Sequence, residues 1–231
     1  MRSIKILSWN VRGLGRAEKM RNVSKVLVEN SLNVVLLQET KLKEVSWGVK
    51  RRLCVSNLDG IEVAPSKGAI GGLVSIWDKK VFICEKSIVQ DRLIILVGAI
   101  QAVGLKCGII NLYTPNDQAE RERFFEYVTG LIASLEIPIV MGGDFNTIKE
   151  KEEKQGAEPS ERAMQVFKYF IQQNDLIDLP LKGGAYTWFR GGSSPTACRL
   201  DRFLVSTEVL MLFSDLTQMV LPRGLSDHNP I

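Results

Sequence analysis

Short apolar runs alternate along this chain with stretches of helical periodicity. Ile4–Trp9, Val34–Leu37, Gly72–Trp77, Leu93–Ile100, Leu105–Leu112 and Ile139–Met141 are short and almost continuously apolar, and read as strands, several covered on both faces. Phe124, Phe125, Val128, Leu131 and Ile132 share one face of a helix predicted from about Gln118 to Ser134. Met164, Phe167, Phe170 and Ile171 do the same for a helix opening at Ser160, as do Met20, Val23, Val26 and Leu27 for one from about Ala17 to Asn30. Leu93–Ile100 and Leu105–Leu112, joined around Gly104, predict an antiparallel hairpin. No internal repeat and no Pro- or Ser-rich linker divides the chain. The mixed-sign run Lys149–Lys154 reads as a solvated loop. The pattern predicts a single α/β domain over residues 1–231, with sheets packed face to face and helices outside.

Composition narrows the chemistry. With 45% hydrophobic and 24% charged residues among 231, the chain is ordinary globular material. A net charge of +4 is compatible with a polyanionic partner without demanding one. Cys54, Cys84, Cys107 and Cys198 are far apart and read as reduced thiols rather than disulfides or ligands. One histidine, His228, excludes a zinc site of several imidazoles. Any metal is therefore a hard cation on oxygen ligands. The longest apolar run is too short to span a bilayer, and Lys5, Trp9, Asn10 and Arg12 break any secretory leader. The expected location is intracellular, nuclear or cytoplasmic, with no membrane partner.

Polar residues gather where the apolar runs end. Asn10 closes the first, Gln38 and Glu39 the second, and Tyr113, Thr114 and Asn116 follow Leu112. Gly142-Gly143-Asp144-Phe145-Asn146 follows Met141, Asp201 stands among apolar neighbours, and Ser226-Asp227-His228 comes near the end. Each has an ordinary explanation. Asn10 reads alone as a turn amide, Glu39 as a helix-start acid or surface charge, and Tyr113 as a half-buried sheet residue. Asp144 and Asn146 could form an Asx turn, although the preceding glycines also permit close approach to a ligand. A solitary histidine is usually structural. Yet six such clusters at strand ends are hard to explain as independent turns, and strand-end loops are where sites are built.

In order, the strings ILSWNVRGLG, LLQETKL, NLYTPN, MGGDFNTI, YTWFR, RLDRFLVS and SDHNPI resemble the endonuclease/exonuclease/phosphatase superfamily across the whole chain. SWNVRGLG, LQETKL and RLDRFLVS look most like the endonuclease domain of plant LINE-type (non-LTR) retrotransposons. The resemblance implies a DNase I-like, four-layered α/β sandwich with two mainly antiparallel sheets. It also implies phosphodiester hydrolysis in double-stranded DNA with Mg2+, or Mn2+ in its place, leaving a 3′ hydroxyl. Glu39 would be the principal metal ligand with Asn10 beside it. Asp144 would orient or deprotonate the water, Asn146 would hold a phosphate oxygen, and His228 would contact the scissile phosphate with Asp201 on its other ring nitrogen, with either Asp144 or His228 as the general base. Tyr113 and Asn116 would frame the phosphate, Asp227 and Ser226 would support their loop, and Thr187 matches a threonine that touches the DNA backbone. In LINE-type enzymes a hairpin near residues 189–198 enters the minor groove. Here Arg190 and Arg199 flank it with positive charge, and a plain surface hairpin is the alternative.

The departure is Arg12. Abasic-site repair enzymes of the superfamily tend to carry an acid there, so the repair reading loses ground and Arg12 becomes either a DNA-backbone contact or a solvated cation. The SDHNP string leads in the family into a final central strand, which would be cut short at Ile231. A downstream reverse transcriptase in the same polyprotein is the implied partner. An inactive relic that at most binds DNA is the alternative.

Overall fold

The computed structural model describes residues 4–68 and 71–231. The chain opens with β1 (Ile6–Asn10), α1 (Ala17–Glu29) and β2 (Val34–Gln38), then α2 (Trp47–Leu53), β3 (Gly60–Ala64) and β4 (Leu73–Trp77). β5 (Phe82–Gln90), β6 (Leu93–Ile100) and β7 (Leu105–Tyr113) lead to α3 (Gln118–Leu135) and β8 (Ile139–Asp144). Next come β9 (Lys154–Gln155), α4 (Glu161–Gln173), β10 (Leu176–Asp178) and β11 (Leu181–Lys182). β12 (Trp188–Arg190) and β13 (Thr196–Cys198) form a hairpin before β14 (Asp201–Ser206), α5 (Thr207–Leu212) and β15 (Gln218–Met219).

Two sheets carry the architecture, ordered β1-β2-β4-β3 and β10-β14-β8-β7-β6-β5. Both are mixed: β1 with β2 and β7 with β8 run parallel, while the other neighbours within these two sheets are antiparallel. The six predicted strands and three predicted helices are all present. Ser160 caps α4 by accepting from the Ala163 N–H. β3 and β5, which the apolar pattern does not predict, are the outer edges of the two sheets. An edge strand is covered on fewer sides and needs no continuous apolar run. β14 escapes the pattern for another reason, since Asp201 and Arg202 interrupt its apolar residues although both are fully buried.

Period-2 alternation sorts the strands into layers. Val34, Leu36, Ile94, Leu96, Ile109, Val140, Phe203 and Val205 pack between the sheets. Leu7, Trp9, Val35 and Leu37 face outward onto Met20, Val23 and Leu27 of α1. Leu93, Ile95, Ile110, Leu112, Met141 and Leu204 face outward onto Phe125 and Val128 of α3 and Phe167 and Phe170 of α4. Helix, sheet, sheet, helix is therefore the order of the layers. Parallel-ladder and interlayer strands are apolar on both faces because both faces are covered.

The inner layer changes character along its length. Above the apolar part, Gln38 donates to Ser8 Oγ (3.1 Å) and to Asn111 Oδ1 (2.8 Å). Asn111 in turn donates to Ser75 Oγ (3.2 Å) and to the carbonyls of Leu37 and Val74. All four side chains are fully buried, so this network pins one sheet to the other. One residue pair further along the same faces, Asn10, Tyr113, Asp144 and Asp201 come next.

The two glycines before Asp144 serve packing rather than ligand approach, which corrects the sequence reading. A Cβ on Gly142 would lie 2.5 Å from the Phe203 ring and 2.9 Å from Leu36 Cδ1, while one on Gly143 would lie 2.1 Å from the Leu112 carbonyl oxygen. Gly142→Ala is expected to destabilise the fold by about 2 kcal/mol, seen as a lower urea midpoint at unchanged slope. An unchanged midpoint would show that Phe203 and Leu36 give way freely.

The Lys149–Lys154 run is only in part the solvated loop that its charge pattern suggests, exposed at Glu150, Lys151 and Glu152 but anchored at Glu153. Glu153 and Asp178 are ion-paired to Arg199 and to fully buried Arg202, and Lys149 adds a further bridge to Asp178. The two guanidiniums, with Arg202 foremost, hold the Glu153 carboxyl down at about 2 despite its burial. All four cysteines are free, Cys107 and Cys198 buried and the other two half-buried. No helix among the described residues is long and apolar enough to cross a membrane.

Candidate active site

β7, β8 and β14 set Tyr113, Asp144 and Asp201 in one row, since Tyr113 pairs with Asp144 and Asp144 with Asp201 across the ladders. On the facing sheet, Asn10 ends β1 beside Gln38, and Glu39 follows β2. Glu39 has a left-handed backbone (φ 48°), as do Arg12 (φ 49°) and Asn146 (φ 47°). Three non-glycine residues in that region around one spot mark it as over-determined by its surroundings. The Glu39 carbonyl accepts from the Gly13 N–H (2.6 Å), and the Thr40 N–H donates to the Gly72 carbonyl (2.9 Å), which anchors the turn on both sides.

The carboxylates and amides then converge. Asn10 Nδ2 donates both to Glu39 Oε1 (3.0 Å) and to Asp144 Oδ2 (2.8 Å), and Asn10 Oδ1 accepts from the Arg12 N–H. Asp144 Oδ1 accepts from the Asn146 N–H (2.9 Å), and Asn146 Nδ2 donates to the Thr114 carbonyl (2.8 Å). His228 Nδ1 donates to Asp201 at 2.9 and 3.1 Å, and its Nε2 lies 3.8 Å from Asp144 Oδ2. The imidazole thus separates two acids that the ladder places opposite each other.

The SDHNPI segment is zipped to three elements. Ser226 Oγ donates to the Asn10 carbonyl (2.7 Å) and accepts from the His228 N–H, while Trp9 Nε1 donates to the His228 carbonyl. Asn229 N–H donates to the Thr187 carbonyl, and Ile231 exchanges both backbone bonds with Ser8. Asp227 accepts from Arg12 Nε (3.0 Å) and Trp188 Nε1 (3.0 Å). Arg12 NH1 reaches Glu39 Oε1 (3.2 Å).

Electrostatics follow from burial and these partners. Burial alone would lower the His228 pKa, but Asp201 first and then Asp144 outweigh it and raise it to about 9, so the ring is an imidazolium at neutral pH. Asp144 is held above the usual carboxylate range, by burial first; His228 opposes the shift and the facing Asp201 adds to it. Burial, with Glu39 and Asp144 nearby, raises the Tyr113 phenol to about 12 and keeps it a neutral donor, while Arg92 stacks 5.2 Å over its ring.

Asp144, Asp201 and His228 offer atoms within 4.8 Å of one another, which by distance alone is a cation site. An imidazolium cannot ligate a cation, which leaves carboxylate and amide oxygens as the candidate donors. Around it Glu39, Asp144, Asp201 and Asp227 gather, with Arg12 and His228 as the cations in direct contact. The donors are hard oxygens. Both features fit a divalent cation held by Glu39, with the Asn10 amide oxygen available on rotation.

Not every sequence candidate reaches this centre. Thr187 is fully buried and its hydroxyl accepts from the Leu200 and Asp201 N–H groups (3.0 Å each), so it fixes the start of β14 and cannot touch a DNA backbone. Arg199 is 9% exposed within the ion-pair network, not a surface charge beside the hairpin. Ser226 uses its hydroxyl on the Asn10 carbonyl and the His228 N–H, tying its own loop to β1. Asn116 is exposed in the loop after β7 and Arg190 beside the hairpin turn, where it donates to Thr196 Oγ1. The strand-end pattern marks Gln38 but passes over its partners Ser8, Ser75 and Asn111. Their signal was a polar residue recurring at even spacing inside apolar strands. A cavity of about 350 Å³ lies at the other end of the strands against Ile6, Val140, Phe203 and Val205 and is apolar.

The description Endonuclease/Exonuclease/phosphatase family matches residues 7–228. A Xenopus laevis protein described as Transposon TX1 uncharacterized 149 kDa protein is 23% identical over 239 positions, covering 98% of this chain but 18% of its own length. The AP endonuclease LMAP of Leishmania major superposes with a TM-score of 0.76 at 16% identity, covering 98% of this chain and 86% of that one. The endonuclease domain of TRAS1, a telomere-specific non-LTR retrotransposon, gives 0.68 at 14% identity, covering 99% and 96%. At these identities the structures share the fold.

Proposed function

This chain belongs to the endonuclease/exonuclease/phosphatase family, and on that premise we propose that it is a divalent-cation-dependent DNA endonuclease, the target-nicking domain of a LINE-type retroelement. The observation that carries this reading is the buried convergence of Glu39, Asn10, Asp144, Asp201 and His228 on one end of the paired sheets. Glu39 and Asn10 would hold the cation, Mg2+ or Mn2+, which when bound neutralises charge on the phosphodiester. The His228 imidazolium and the Asn146 amide supply fixed donors for the phosphoryl oxygens, and the Tyr113 phenol adds a third.

The reaction is a displacement at phosphorus. A water oxygen bonds to phosphorus, the bond from phosphorus to the 3′ oxygen breaks, and that oxygen takes a proton from solvent water, so the products are a 3′ hydroxyl and a 5′ phosphate. His228 already carries both ring protons, so the proton of the attacking water goes to Asp144. Asp201 holds the imidazole in position from its far side. The exposed turn that joins β12 to β13, with Arg190 beside it, is suited to reach the groove and bias the target.

The retroelement context is supported by the transposon protein and the retrotransposon endonuclease among the similar chains. Double-stranded DNA is the partner proposed for the site, and a reverse transcriptase in the same polyprotein would extend the 3′ hydroxyl. Arg12 beside Glu39 weighs against abasic-site repair.

Incubation with supercoiled plasmid is expected to give nicked circles in Mg2+ and none in EDTA, with ends that a polymerase extends without prior treatment. A cooperative melt with no nicking in Mg2+ or Mn2+ would turn the reading to an inactive DNA-binding relic.

A further inference from the structure

Arg12 lies on the carboxylate that a cation held by Glu39 would use. Its NH1 shares Glu39 Oε1 with the Asn10 amide, at 3.2 and 3.0 Å, and an arginine cannot give up its charge to vacate the contact. The same side chain is held separately through Nε by Asp227, whose other oxygen is fixed by Trp188. Its backbone is pinned by Asn10 Oδ1 and by Lys19 Nζ, which donates to the Arg12 carbonyl at 2.8 Å. Although Glu39 is nearly sealed, the Arg12 side chain is 37% exposed. Nε can therefore stay on Asp227 while NH1 and NH2 turn outward.

We propose that Arg12 is an exchanging counter-ion: it neutralises Glu39 while the site lacks a cation, is displaced when one binds, and then presents its guanidinium to a DNA phosphate next to the scissile one. This rests on Glu39 being the cation seat. The exchange makes cation binding weaker than the acids alone would give. It also ties the phosphate contact to the loaded state, so that DNA is gripped there only when hydrolysis is possible.

The test uses Mn2+ alone, without DNA, and follows free Mn2+ by electron paramagnetic resonance. Arg12→Gln is expected to bind Mn2+ about three- to tenfold more tightly than the unaltered protein, because a competing ion pair is gone. Arg12→Lys, which keeps a charge but loses the fork, should fall between them. In fluorescence anisotropy with a labelled duplex, Arg12→Gln should lose about fivefold affinity in saturating Ca2+ and nothing in EDTA. Unchanged or weaker Mn2+ binding by Arg12→Gln, or an equal loss of DNA affinity with and without the cation, would overturn the exchange. If Glu39→Gln binds Mn2+ as well as the unaltered protein, the cation seat itself is wrong and the exchange falls with it. Loss in Glu39→Gln with no gain in Arg12→Gln removes the exchange alone.

Discussion

Replacing His228 with alanine is expected to lower cation-dependent nicking at least roughly a thousandfold and to destabilise the protein by about 3–5 kcal/mol near neutral pH. The two effects share one cause. Asp144 and Asp201 are directly paired across β8 and β14, both fully buried, and His228 is the cation between them. Like charges opposite one another in a ladder repel, and removing one partner of a buried ion pair leaves uncompensated charge. In the unaltered protein His228 has its pKa raised to about 9. Its contribution is complete below the unfolded histidine value of about 6.5 and fades as pH rises through about 9. In His228→Ala the two acids can relieve their repulsion only by taking up a proton. Asp144, already raised by burial and by the facing Asp201, then loses the opposing charge of His228, so this site's contribution must improve as pH falls from about 8 to 5. Thermal melts across that range check the sign. A variant that nicks normally would remove His228 from the chemistry, and one whose stability is indifferent to pH would remove it from between the acids.

Glu39→Ala should be the complementary case, inactive yet stable. Nicking is expected to fall by at least roughly a thousandfold, because the cation loses its main ligand. Stability in EDTA should change by less than about 1 kcal/mol. Arg12 keeps its bond to Asp227, Asn10 keeps its bond to Asp144, and one negative charge leaves a cluster of acids. The distinguishing measurement is the melting temperature with and without Mg2+. The unaltered protein should gain stability on adding the cation, as any ligand bound by the folded state alone requires, and Glu39→Ala should gain none. A full Mg2+ response in Glu39→Ala would place the cation elsewhere, with the Asp144 side the first place to look.

Most of the scaffold was legible because burial writes itself into sequence at a fixed period. Strands covered on both faces, such as those built on Val34–Leu37 and Leu93–Ile100, are continuous apolar runs, and α4 announces itself by Ser160 and the stripe from Met164 to Ile171. Edge strands β3 and β5 were not legible, since solvent on one side permits polar residues. β14 was hidden because Asp201 and Arg202 are tolerated inside only through partners distant in sequence, Glu153 and Asp178 for the arginine and His228 for the acid. The same long-range pairing hid the anchor at Glu153 in the Lys149–Lys154 run.

The sequence by itself determined which residues stand at the strand ends, since period-2 alternation carries a polar position onto the inner face wherever an apolar run stops. Only the tertiary structure decided what those residues do to one another. That Arg12 rather than solvent meets Glu39, that Thr187 and Arg199 turn inward, and that His228 parts two facing acids all depend on contacts spanning up to most of the chain. Spacing in sequence fixes a side chain's face, but charge and hydrogen-bond partners are set by distance in space, and these distances exist only once two sheets have closed on each other.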